Sequence, residues 1–134
     1  MKNKVAIVAA NYYENITNDL VDGVKNNLNE SFDTSTYFVD GAWEIIYKIN
    51  DLSVNDSIDK FVAIGVIIKG DTDHYEYISQ GVINGLIKLT IDKNIYISNC
   101  VLNVHDMEHA MNRSKDDMNN KGSQSAIAIN NLFS

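Results

Sequence analysis

Four side chains suited to gripping a flat polar ring and moving protons around it fall just after apolar runs: Tyr12, Trp43, Glu44 and His74. Aromatic faces stack on a heteroaromatic ligand, a carboxylate holds its polar handles, and an imidazole both takes and gives protons near neutral pH. The chain has 11 basic residues, of which ten are Lys and one is Arg, so Arg113 stands out as the only guanidinium. Further along, His105 and His109 are spaced for a metal on one helix turn, with Glu108 between them. No third ligand is evident and the order His-Glu-x-x-His is absent, so a solvated helix face is the expected reading and no metal is expected. Cys100, inside an apolar run, reads as an inert core thiol.

The elements that must position these residues alternate along the chain. A continuous apolar run at 5–10 reads as a strand buried on both faces. A helix follows over 16–29, with Leu20, Val24 and Leu28 on one stripe and Asn15 or Thr17 as its cap. Next come a short strand at 35–39 and a helix at 42–50 with Ile45, Ile46 and Ile49 inward. The strongest strand is 60–68, followed by a helix over 75–90 with Ile78, Val82, Leu86 and Leu89 at helical spacing. A fourth strand spans 95–102, and two helices close the chain at 106–113 and 123–133, the last with Ala126, Ile129 and Phe133 inward. The stretch 114–122 reads as a polar connection. This alternation predicts one α/β domain over 1–134: a three-layer, doubly wound sheet of four parallel strands with helices on both faces. Ligands of such sheets bind beyond the carboxyl ends of the strands. Tyr12, Trp43, Glu44 and His74 are therefore expected at one edge.

Composition narrows the class further. At 134 residues there is room for one core, and 45% hydrophobic with 22% charged residues excludes wholesale disorder. A net charge of −7 without a basic stripe disfavours nucleic acid and anionic membranes as partners. A single Cys excludes an internal disulfide framework, and the first apolar run is too short to span a bilayer. A cytoplasmic location is expected. Asn occurs 18 times, Ile 17 times and Pro not at all, which suggests coding bias rather than physics.

With these positions in hand, the sequence resembles the lumazine synthase family over nearly its whole length. Asn11-Tyr12-Tyr13-Glu14-Asn15 is similar to the family's aromatic loop after strand one. Asp40-Gly41-Ala42-Trp43-Glu44 resembles its Pro-Gly-(Ala/Ser)-(Phe/Trp)-Glu motif, and Lys69-Gly70-Asp71-Thr72-Asp73-His74-Tyr75-Glu76 its Arg-Gly-x-Thr-x-His motif. Glu108-His109-Ala110-Met111-Asn112-Arg113 resembles its Glu-Gln-Ala-x-x-Arg helix, and Asn120-Lys121-Gly122 its Asn-Lys-Gly. Each motif is weak alone, but five in order, without gaps from Gly41 to Gly122, are specific.

The resemblance implies a flavodoxin-like fold and a condensation in riboflavin biosynthesis. 5-Amino-6-ribitylaminouracil would react with 3,4-dihydroxy-2-butanone 4-phosphate. Imine formation, phosphate elimination and ring closure with loss of water would give 6,7-dimethyl-8-ribityllumazine, with no cofactor. By the same resemblance, Tyr12 and Trp43 pack on the pyrimidine, Ala42 and Glu44 hold it and its ribityl chain, and the backbone of Val66, Ile67 and Ile68 meets the uracil edge. Asp71 and Thr72 contact the phosphate, His74 transfers protons, Arg113 anchors the phosphate and Lys121 adds a cation. A phosphate at 70–72 would sit at a helix N-terminus, and Arg offers a fork that Lys lacks.

Four departures bear on that reading. Asn99 stands where the family has an aromatic wall at the end of strand four. Lys115-Asp116-Asp117 replaces Gly-Thr-Lys, removing a cation and adding two carboxylates. Asp71 and Asp73 flank Thr72, and Lys69 stands where Arg is usual. The resemblance also implies a homo-oligomer with sites between subunits. Because the sequence starts at strand one, a pentamer or decamer is expected over a capsid, and the resemblance implies riboflavin synthase as a partner. Two rival readings are a catalytically decayed homologue that binds a flavin or pyrimidine, and a non-catalytic flavodoxin-like regulatory domain.

Overall fold

The computed structural model describes residues 3–70 and 74–133. Val5 to Ala10 are all buried, so β1 (Asn3–Ala10) must lie at the centre of a sheet. It pairs in parallel with β2 (Phe32–Val39) on one side and β3 (Lys60–Ile68) on the other, and β3 pairs with β4 (Tyr96–Val104). The resulting order is β2-β1-β3-β4, all parallel, as the alternation of elements predicts.

Helices cover both faces. α1 (Glu14–Asn27) and α5 (Lys121–Phe133) pack on one face, where Leu20, Val24, Ala126 and Ile129 meet Val5, Ile7, Val62 and Cys100. The short α4 (Met107–Asn112) joins this face through buried Ala110. α2 (Trp43–Asn55) and α3 (His74–Lys93) cover the other face, with Ile45, Ile49, Val82 and Leu86 against Ala6, Val8, Phe61 and Ala63. Alternate residues along β1 and β3 thus feed two separate cores, as the two-residue period of a strand requires.

Several local expectations need correction. α1 begins at Glu14, and neither Asn15 nor Thr17 caps it, for its N-cap is Tyr13 with no side-chain bond. Thr17 is instead buried within the helix and donates its hydroxyl to the Ala10 carbonyl at 2.8 Å, tying the helix to the end of β1. α2 runs five residues past Asn50 because Leu52 still has core to bury. Lys121 is the first residue of α5 rather than part of the polar connection, because Asn120 provides that helix with its cap. Phe133 is not inward: it is 39% exposed and meets Tyr96 edge-on at the margin of the sheet. α3 ends before Asn94, whose φ of 54° is a left-handed conformation that Asn tolerates.

Candidate active site

The strand order reverses between β1 and β3, and a cavity of about 400 Å³ opens there. The ladder between β1 and β3 stops at Ala9 and Ile64, whereas β3 stays paired with β4 as far as Ile68 and Val104. Val66, Ile67 and Ile68 line the cavity, and the β3 edge turned toward β1 is beyond the reach of that ladder. An edge of this kind can bond a planar ligand through main-chain donors and acceptors.

Aromatic side chains form the walls. Tyr12 and Trp43 line the cavity and are 76% and 63% exposed, so their faces remain open to a ligand. Tyr12 meets Tyr13 edge-on at 4.9 Å, which braces the loop after β1. Trp43 leans on α3: a methyl group at Gly81 would stand 3.2 Å from its Cζ3. Gly65 has the same role in the floor, where a side chain would meet Ile45, Ala10 and Ala42. Ala42 lines the cavity directly. Glu44 does not, but its carboxylate folds back over Gly41, a lining residue, with Oε1 3.0 Å from where a Cβ would be. His74 opens α3 and lines the opposite side with Ile78, one turn along. Tyr13, Gly41 and Ile78 also line the cavity, beyond the residues expected from the sequence. Helical spacing from His74 points to Ile78, but Gly81 beneath Trp43 shows only in the packing of α2 on α3.

The other candidates stand elsewhere in the chain. Asp71 and Thr72, expected at a phosphate, lie outside the described residues, as does Asp73. Arg113 follows α4 and lines a separate, shallow depression of about 410 Å³ with Asn103, Val104, His105, His109 and Asn112. Lys121 is fastened to it, since its amide donates to the Arg113 carbonyl at 2.7 Å. His105 and His109 gather no third ligand into a metal-binding group among the described residues. Asn99 is not at the end of β4 but in its middle, in an apolar groove with Ile83, Leu86 and Ile87, and its amide oxygen accepts from the Val101 N–H at 2.9 Å. It therefore forms no wall of the cavity that holds Tyr12 and His74 within one chain.

The Asn120-Lys121-Gly122 motif divides into two roles. Asn120 is buried; its amide donates to the Ser114 carbonyl and accepts from the Ser123 N–H, both at 2.9 Å. Gly122 lets α5 meet the Leu20 carbonyl of α1. Those two residues build the joint, and Lys121 is what the joint presents. Asp117 is also structural: it accepts from the Asn119 N–H at 2.8 Å and shapes the connection. Cys100 lies beneath, fully buried, with its thiol pushed up to about 12 by burial, against smaller opposing effects of Ser125, Lys121 and Arg113.

Residues 2–134 match the family model for 6,7-dimethyl-8-ribityllumazine synthase. The chain belongs to this family. Proteins named 6,7-dimethyl-8-ribityllumazine synthase from Pediococcus pentosaceus and Bartonella tribocorum are 30% and 38% identical to it, spanning 96% and 95% of this chain and 85% of each relative. The protein of that name from Limosilactobacillus reuteri is 33% identical over 98% of this chain and 88% of its own length. The lumazine synthase family thus accounts for the whole alternating pattern, including the four parallel strands. Among the described residues, no helix is long and apolar enough to cross a membrane.

Proposed function

We propose that the chain condenses 5-amino-6-ribitylaminouracil with 3,4-dihydroxy-2-butanone 4-phosphate to give 6,7-dimethyl-8-ribityllumazine, a step of riboflavin biosynthesis. One observation carries this reading: a single cavity at the strand switch gathers Tyr12, Trp43, His74 and the free edge of β3. The uracil ring would lie between the two aromatic walls with its edge on Val66–Ile68, and Glu44, over Gly41, would take the ribityl chain. His74 would relay protons as the amine adds to the ketone and the resulting carbinolamine loses water to form the imine. Most of the acceleration would come from holding both substrates together, since the amine is already a nucleophile.

Arg113 and Lys121 would hold the phosphate, with the guanidinium fork matching two phosphate oxygens. In one chain their depression is distinct from the cavity of His74. A homo-oligomer, pentamer or decamer, that seats the Arg113 end of one copy against the His74 cavity of the next would complete the site. The same contact would bring Asn99 in as an amide wall in place of an aromatic.

Supplying both substrates and following the lumazine chromophore tests the reading. Turnover is expected, and no product above background from a folded oligomer would refute it. A second reading, binding of a flavin or pyrimidine without turnover, is favoured by Asn99 alone; tight lumazine binding with no loss of function in His74→Ala would select it.

A further inference from the structure

Two imidazoles beside Arg113 are left unused by the reading above. The chain has three histidines and one arginine against a net charge of −7, yet two of those histidines line the same depression as the arginine. His109 and Arg113 are four residues apart on and just after α4, so they share a face. His105 follows the end of β4, and its ring meets Tyr75 of α3 edge-on, with centroids 6.1 Å apart.

His109 is also oriented. Asp106 caps α4, accepting from the His109 N–H at 3.0 Å, and the same oxygen lies 3.6 Å from His109 Nδ1. With Nδ1 turned to the Asp106 carboxylate, Nε2 is the outward nitrogen of the ring. Among the described residues, the neighbouring charged groups are few. α4 supplies Asp106 and Glu108, and Lys121 of α5 is joined to Arg113 through the backbone. Near the start of α3, Lys69 bonds the Val104 carbonyl through its amide and pairs with Glu76 at 3.8 Å. A phosphate monoester carries about −1.5 to −2 at pH 7, more than one guanidinium balances.

We propose that His105 and His109 complete, with Arg113, the pocket for the substrate phosphate, so that their protonation tightens phosphate binding as the pH falls. This rests on the reading of Arg113 as the phosphate anchor. All three side chains are exposed, so each added charge acts through water and its effect is a few-fold rather than a thousand-fold.

The test is calorimetric binding of inorganic phosphate to the intact protein at pH 6 and pH 8, in a non-phosphate buffer of low ionic strength. Wild type, His105→Asn/His109→Asn and Arg113→Lys are compared at unchanged assembly mass. Phosphate gains its own proton over this range, but equally for every variant. The ratio of wild-type to double-variant affinity should therefore rise about threefold to tenfold from pH 8 to pH 6. Parallel pH curves for wild type and the double variant overturn the proposal, and if Arg113→Lys still weakens binding, the anchor reading survives. Equal binding by wild type and Arg113→Lys overturns the anchor reading and the proposal together.

Discussion

Substituting Gly122 tests how the cationic end of the site is built. Gly122 is the second residue of α5, where that helix comes against the Leu20 carbonyl of α1. A methyl group there would overlap the Leu20 carbonyl oxygen and stand 3.0 Å from both the Leu20 carbonyl carbon and Asn120 Oδ1. Carbon contacts are comfortable at about 3.5–4.0 Å, so the helices must part by about 1 Å or the backbone must bend. Neither is easy, because Leu20, Val24, Ala126 and Ile129 between them are fully buried. Overpacking of this kind costs about 1–3 kcal/mol. Displacing Asn120 weakens the α5 cap by about 1 kcal/mol more. The helix-propensity gain of Ala over Gly offsets at most about 1 kcal/mol and less at a helix end. Gly122→Ala should therefore lose about 2–3 kcal/mol, a fall in Tm of roughly 6–15 °C for a chain of this size. Thermal unfolding followed by circular dichroism measures it, with Gly70→Ala as control, since nothing lies within 4 Å of a methyl group there. A Gly122→Ala protein that melts within about 2 °C of wild type would refute the close approach of α1 and α5, and with it the placement of Lys121 beside Arg113.

Three further outcomes follow from the same geometry. Trp43 is the only tryptophan and lines the cavity, so its fluorescence should be quenched by a lumazine or pyrimidine ligand and not by inorganic phosphate; quenching by neither ligand would remove Trp43 from the site. His74→Ala should lower kcat by about 10²–10⁴ in a protein that still folds and assembles; a full-rate variant would end its assignment to proton transfer. Cys100 should resist alkylation by iodoacetamide at pH 8 until the protein unfolds. Its thiol is raised from about 9 to about 12, so the folded state holds its proton longer than the unfolded chain does. This group leaves stability intact below about pH 9 and lowers it as pH climbs toward about 12, and Cys100→Ala should flatten that decline in urea titrations at pH 8 to 11.

Much of the fold was legible because the pattern is redundant. The 60–68 strand coincides with β3 residue for residue, since an apolar run buried on both faces carries its signal at every position. Boundaries were less legible where a side chain chose a partner distant in sequence. Thr17 reads as a cap by type, yet it bonds the end of β1, and no local rule weighs that alternative. Phe133 fits an inward stripe by spacing, yet the sheet runs out beneath it and leaves it on Tyr96 and the Lys60 ammonium. In the site, Tyr12, Trp43 and His74 followed from the rule that ligands collect beyond strand ends, and Ala42 from the family resemblance. Glu44 followed only in part, because its rotamer turns it over Gly41 rather than into the cavity.

The sequence by itself determined the order of elements, the four parallel strands, the two apolar faces and the set of residues able to do chemistry. Periodicity and residue type are local properties and survive without coordinates. Tertiary structure decided which of those residues meet. It put Tyr12, Trp43 and His74 in one cavity, Arg113 and two histidines in another, and Asn99 in a third groove. It also divided the Asn120-Lys121-Gly122 motif into a joint and the cation that the joint carries. The reason is that proximity between distant segments depends on helix packing and strand order, which no single stretch of sequence encodes.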